Sequence, residues 1–121
     1  MSKWTTIEEL NKWRKIEEIA IDTRDSFKMP VIEIACGYCA SFAKLMFNAL
    51  KESGIESEIV VNKVFALDDE LEGYQTIESD YCEGEYSHCY IKVDGWFFDS
   101  FDVEGVETED QMTYLTELDN Y

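Results

Sequence analysis

The most constraining feature of this chain is the pair of apolar runs joined by Asp94-Gly95. Residues Tyr86–Val93 and Trp96–Phe101 are rich in aromatic and β-branched side chains. Asp-Gly between two such runs is a strong signal for a two-residue type I′ hairpin, because both turn positions need positive φ. With Asp94 and Gly95 as the turn, Val93 pairs with Trp96, and a continued ladder sets Tyr90 opposite Asp99 and His88 opposite Phe101. Side chains alternate between faces. His88, Tyr90, Lys92, Phe97, Asp99 and Phe101 therefore share one face, and Cys89, Ile91, Val93, Trp96 and Phe98 form a core-like opposite face. His88 and Asp99 become diagonal neighbours with Cβ atoms under about 7–8 Å apart, close enough for one hydrogen bond.

The rest of the chain supplies helices to cover such a sheet. A first helix is expected from Thr5 or Thr6 to about Thr23. Thr6 and Glu9 have capping-box spacing, and Ile7, Leu10, Ile16, Ile19 and Ala20 form a buried stripe. Asp25 to Ala35 reads as a connection, with Pro30 disfavouring helix just before it. A second helix is expected from Cys39 to Ser53, where Phe42, Leu45, Met46, Ala49 and Leu50 recur on one face. Gly54 supplies a left-handed terminus against which Ile55 folds back. A strand follows over Ser57–Ala66.

Residues 67–85 are acidic and contain no Lys or Arg. They read as a long loop, with a short strand around Tyr74–Ile77; loops of this length in a compact domain are usually functional or disordered. A short helix over Thr108–Leu118 completes the chain. The expected architecture is α+β: an N-terminal helix and a central Cys-bearing helix packed on a small antiparallel sheet. With 121 residues, a single domain spanning 1–121 is expected.

Charge excludes some functions and favours others. Twenty-seven acidic residues against 10 Lys plus Arg give a formal net charge of -17. Such a chain repels phosphate backbones, so direct nucleic-acid binding is not expected. It attracts cationic partners and has the charge of a polyanion mimic. No run approaches the roughly 20 apolar residues of a membrane span, and the first residues lack the apolar core of a secretory signal. A cytoplasmic location is expected, where the cysteines Cys36, Cys39, Cys82 and Cys89 stay reduced.

Cys39 opens the second helix after Gly37-Tyr38. Free amides and the helix dipole there favour a negative charge and lower a thiol's pKa. The same first-turn amides, the one on Cys39 included, suit an oxyanion. His88 is the only histidine in the chain, so a thiol needing an imidazole base has one candidate. Asp99 then orients the ring, the third role of a catalytic triad. Asp102 is the substitute, but it falls on the other face by alternation. Cys39, His88 and Asp99 together predict cysteine-dependent acyl transfer or hydrolysis of a peptide, protein or amine substrate, with cationic groups favoured by the charge. No cofactor and no metal are expected.

The run Gly37-Tyr38-Cys39-Ala40-Ser41-Phe42-Ala43, the helix end Ser53-Gly54-Ile55, and the run from His88 to Asp99 resemble the core of transglutaminase-like cysteine enzymes. Cys36-Gly37-Tyr38-Cys39 is also similar to the nucleophile motif of papain-like enzymes. The resemblance spans about Cys36 to Phe101. It implies a papain-like or transglutaminase-like core with Cys39 as nucleophile, His88 as base and Asp99 as orienter. Small members of this style resemble bacteriophage-encoded proteins. Two positions depart from the papain pattern: Glu33 stands where a Gln oxyanion donor is expected, and Ala40 replaces an aromatic residue.

Three other functions fit parts of the sequence. A catalytically inactive acidic binding protein or DNA mimic accounts for the charge. A zinc site using Cys36, Cys39, Cys82 and either His88 or Cys89 has one Cys-x-x-Cys half-site, but Cys82-x5-His88-Cys89 lacks the tight second spacing. A thiol redox protein is suggested by Cys36-x-x-Cys39 at a helix start, without the preceding strand such folds need.

Overall fold

A computed structural model describes residues 6–61, 71, 73–78 and 88–112, apart from the side chains at 35–37 and 110. Helices α1 (Ile7–Ser26), α2 (Val31–Gly37) and α3 (Cys39–Glu52) lead into strands β1 (Glu58–Val61), β2 (Thr76–Glu78), β3 (Cys89–Val93) and β4 (Trp96–Phe98). A short 3-10 turn follows at Glu109–Gln111. The architecture is α+β, as the sequence implies.

The sheet has the order β2-β1-β3-β4. Its β1–β3 and β3–β4 pairs are antiparallel, whereas β1 and β2 are parallel. The sheet is therefore mixed rather than antiparallel throughout. β2, at Thr76–Glu78, is the short strand expected inside the acidic stretch, shifted by one or two residues from Tyr74–Ile77. Leu71, also within it, is buried in the core, and the Tyr74 ring stands edge-on to Phe47 at 5.8 Å.

α1 begins where Thr6 accepts a hydrogen bond from the Glu9 amide at 3.1 Å, satisfying one of the donors a helix start leaves open. It runs three residues further than expected, to Ser26. Ile7 is 77% exposed and leaves the predicted stripe, since the first turn of α1 extends past the core. The span assigned to a connection holds α2. Pro30 precedes its first residue, a place where the fixed φ and missing N–H of proline do no harm.

α3 ends as its sequence requires: Gly54 adopts φ 76°, and the Ile55 amide donates to the Leu50 carbonyl at 2.9 Å. Its buried residues are Cys39, Ala40, Phe42, Ala43, Met46 and Leu50. Leu45 is half exposed, because at about 100° per residue it lies well off the centre of that stripe.

The two faces of the sheet carry two clusters. Ile59, Val61, Cys89, Ile91, Val93 and Phe98 join the residues of α1 and α3 in the main core. Val60, Tyr90, Phe97 and Met112 form a smaller cluster on the other side, with Ile77 and Val106 against it. Strand alternation thus divides the hairpin as the sequence implies. Among the described residues, no helix is long and apolar enough to cross a membrane. The expected C-terminal helix over 108–118 is replaced, within the described part, by the 3-10 turn; residues 113–118 lie outside the described residues, as do 62–66 of the expected first strand.

Candidate active site

The hairpin turn fixes the frame. Asp94 and Gly95 have φ of 51° and 85°, the positive values a type I′ turn requires. Val93 pairs with Trp96 and Ile91 with Phe98, where the paired register of β3 and β4 stops. The expected continuation to Tyr90–Asp99 and His88–Phe101 is not formed. The reason lies in Asp99 itself. Its Oδ1 accepts hydrogen bonds from the amides of Phe101 at 3.0 Å and Asp102 at 2.8 Å, so its own side chain turns the chain away from the ladder.

The pairing that the register was to deliver survives this change. His88 Nε2 and Asp99 Oδ2 are 2.9 Å apart. Both residues are 1% exposed. The carboxylate has no proton to give, so the imidazole donates through Nε2. Asp102, the substitute orienter, contributes a backbone amide to Asp99 rather than a carboxylate to His88.

Cys39 is buried at the first position of α3, in the main core cluster. Its neighbour Tyr38 is 49% exposed, so this helix start lies at the protein surface. The Cys39 thiol is lowered from an ordinary 9.0 to about 5. The largest cause is a hydrogen bond from the Cys89 thiol; burial opposes it; the hydrogen bond and charge of His88 and the Cys89 amide add to the lowering. His88 is raised from 6.5 to about 9. Burial alone would lower it, but hydrogen bonds to Asp99 and then Cys39, with the charges of both, outweigh that cost. At neutral pH the pair is therefore a thiolate beside an imidazolium. Nε2 is committed to Asp99, whereas the buried Nδ1 makes no hydrogen bond among the described residues.

The structure thus joins two of the three predicted residues directly, His88 to Asp99, and buries Cys39 near enough to His88 for each to shift the other's pKa. It adds two neighbours that the sequence reading did not assign to the site. The Tyr90 ring stacks on the imidazole at 5.6 Å and 26°, and its hydroxyl donates to Glu109. Cys89, set aside as core, shares the main core cluster with Cys39 and contributes to the lowering of its thiol pKa. The available signal was its alternation: it points to the sheet face that receives α3, whose first residue is Cys39. Glu33 is exposed on α2.

Two surface cavities lie elsewhere. One of about 860 Å³ is lined by Phe47, Lys51, Ile55 and Lys92, and one of about 420 Å³ by Arg24, Lys28 and Pro30. Among the described residues, no group of three or more His, Cys, Asp or Glu is arranged to hold a metal ion. Cys82 and the side chain of Cys36 lie outside the description, and with them the zinc and Cys-x-x-Cys redox alternatives. No protein family model matches the chain, and no curated protein or solved structure does.

Proposed function

We propose that the chain is a cysteine-dependent acyl-transfer or hydrolytic enzyme, with Cys39 as nucleophile, His88 as acid and base, and Asp99 as orienter. The observation that supports this most is the buried His88–Asp99 hydrogen bond of 2.9 Å, with Cys39 buried at a helix N-terminus and its thiol pKa lowered in part by His88. A thiolate is the nucleophilic form of cysteine, and it is the form favoured here.

In this reading the Cys39 sulfur attacks an acyl carbon. The first amides of α3 stabilise the oxyanion, with a macrodipole of the right sign. The His88 imidazolium gives its proton to the departing amine, leaving a thioester on Cys39 and a neutral imidazole. A water or an amine then loses a proton to that imidazole as it attacks the thioester, and Cys39 is released. Water gives hydrolysis or deamidation; an amine gives transamidation. Asp99 keeps the ring oriented and stabilises its charged form throughout. The resemblance to papain-like and transglutaminase-like enzymes carries the same roles.

The net charge of -17 favours cationic peptide, protein or amine substrates, whose capture weakens as salt is raised. The test is trapping with an activated acyl ester followed by intact-mass and peptide analysis. One acyl group on Cys39, absent from Cys39→Ala, is expected; acylation that ignores this substitution contradicts the proposal.

The same charge, with the near-complete burial of His88 and Asp99, favours one second reading: an acidic binding protein in which the relay is a relict. A binder keeps its biological effect in Cys39→Ala, whereas an enzyme loses it.

A further inference from the structure

We propose that Tyr90 and Glu109 are positioning residues for His88. The Tyr90 ring braces one face of the imidazole, and Glu109 holds and polarises that ring through its hydroxyl. The inference rests on reading His88 as acid and base, and it extends the site to the C-terminal turn.

The placement begins with the strand. Residues two apart share a face, so Tyr90 follows His88 onto the side of the sheet away from the main core. Its ring stacks on the imidazole with centroids 5.6 Å apart at 26°, and Phe97 meets it edge to face at 5.9 Å. Tyr90 is fully buried, and a buried phenol needs a hydrogen-bond partner. Its hydroxyl donates to the Glu109 carboxylate. Glu109 is delivered by its own local structure. Val106 and Phe97 exchange backbone hydrogen bonds of 2.8 and 2.9 Å, which tie this segment to β4. Thr108 and Gln111 then form a capping box around the turn Glu109–Gln111. Met112 follows, fully buried in the cluster that holds Tyr90. The turn is thus anchored on both sides of Glu109.

Asp99 grips the imidazole at one atom, Nε2, at 2.9 Å. A hydrogen bond to one atom leaves a ring free to tilt about it, and a stacked neighbour fixes the plane. An aromatic face also attracts a cation within about 6 Å of its centroid, so the stack favours the imidazolium over the neutral ring. A carboxylate that accepts from the phenol pushes electron density into the ring and strengthens that attraction. Among the described residues, the ionisable groups set against His88 are Asp99 after β4, Cys39 on α3 and Tyr90 on its own strand, with Glu109 one hydrogen bond behind Tyr90. The imidazole is therefore held in its plane by one carboxylate and across its face by a ring that a second carboxylate fixes.

The experiment is a pH titration of His88 by nuclear magnetic resonance. His88 is the only histidine in the chain, so its imidazole C–H signals are read without ambiguity. Tyr90→Phe removes the hydroxyl and keeps the ring, Glu109→Gln keeps an acceptor without the charge, and Tyr90→Leu removes the ring. Tyr90→Leu is expected to lower the His88 midpoint by roughly one pH unit. Tyr90→Phe and Glu109→Gln should each lower it by less, and the two combined by no more than either alone. Folding of each variant is read from its near-ultraviolet circular dichroism, and the Phe and Gln variants carry the test where Tyr90→Leu does not fold. Folded variants with the parent midpoint overturn the roles of Tyr90 and Glu109 and leave Cys39, His88 and Asp99 as they stand. A Glu109→Gln shift that persists in full on top of Tyr90→Phe overturns the route through the hydroxyl. A parent protein that is not acylated at Cys39 overturns the enzyme reading by a separate measurement, and this inference with it.

Discussion

Asp99 holds His88 with one carboxylate oxygen and ends its own strand with the other. Oδ2 meets His88 Nε2 at 2.9 Å, and Oδ1 accepts the amides of Phe101 and Asp102. One side chain thus orients the imidazole and shapes the backbone beside it. The two tasks separate by substitution. Asp99→Asn keeps an oxygen for the amides but removes the charge that supports the imidazolium. It should lower the denaturation midpoint less than Asp99→Ala does and lose roughly 10⁴-fold in acyl-transfer rate, the loss seen when a triad carboxylate is neutralised. Asp99→Ala should lose both, with a stability cost of about 1–3 kcal/mol from the uncapped amides and unpaired ring. Urea denaturation and single-turnover acylation check the two variants side by side.

The pH dependence follows from the opposite shifts of Cys39 and His88. His88 is raised to about 9, so its stabilising contribution is fully present below its unfolded value of 6.5 and is lost as pH rises through about 9. Cys39 is lowered to about 5, so its contribution is present above its unfolded value of 9.0 and is lost as pH falls through about 5. Between 6.5 and 9 the slopes cancel, since unfolding merely moves one proton from imidazole to thiolate. The difference in urea midpoint between the parent and a Cys39→Ala/His88→Gln double variant should be flat across that window and shrink below it. A steady slope through neutrality contradicts the ion pair.

Gly105 adopts φ 85°, and a Cβ there would lie 2.6 Å from the Phe98 ring. Phe98 is fully buried at the end of β4, so the ring has little room to yield. Gly105→Ala combines a left-handed backbone with overpacking and should cost about 2–4 kcal/mol. Denaturant unfolding measures it directly. The loss should also disturb the site, because Phe98 immediately precedes Asp99.

Lys12 bridges the hairpin turn through Asp94 at 2.7 Å, with both side chains well exposed. Exposed pairs contribute little in water. Lys12→Ala should therefore lower stability by under about 1 kcal/mol, although the bridge joins α1 to the turn that fixes the hairpin register. Trp13 gives that junction a second bond, from Nε1 to the Glu104 carbonyl at 3.0 Å.

Much of this arrangement was legible in the chain because local signals were strong. Asp94-Gly95 dictates its turn, Ser53-Gly54-Ile55 its helix end, and alternation sorts Cys89 from His88. What failed was the assumption that a ladder continues as long as its residues favour strand. Asp99 makes a better local bond to the amides after it than the ladder offers, and β4 stops. The His88–Asp99 pair was nevertheless recoverable, because a diagonal neighbour stays within reach when the backbone bends toward it. α2 was missed because Pro30 was weighed against helix before it and not as a start of helix after it. The parallel β1–β2 pair depends on where the chain returns after the long acidic segment, which no local pattern encodes.

The central claim is that Cys39 is held as a reactive thiolate by its neighbours, and pH-resolved alkylation tests it most directly. Iodoacetamide modification at each pH, located by peptide mass spectrometry, separates Cys39 from Cys36, Cys82 and Cys89. Cys39 should be modified first at pH 6, with a rate that rises through about pH 5 and falls sharply at that pH in His88→Gln. A Cys39 that reacts only as pH approaches the ordinary thiol range, unchanged by His88→Gln, would contradict the account.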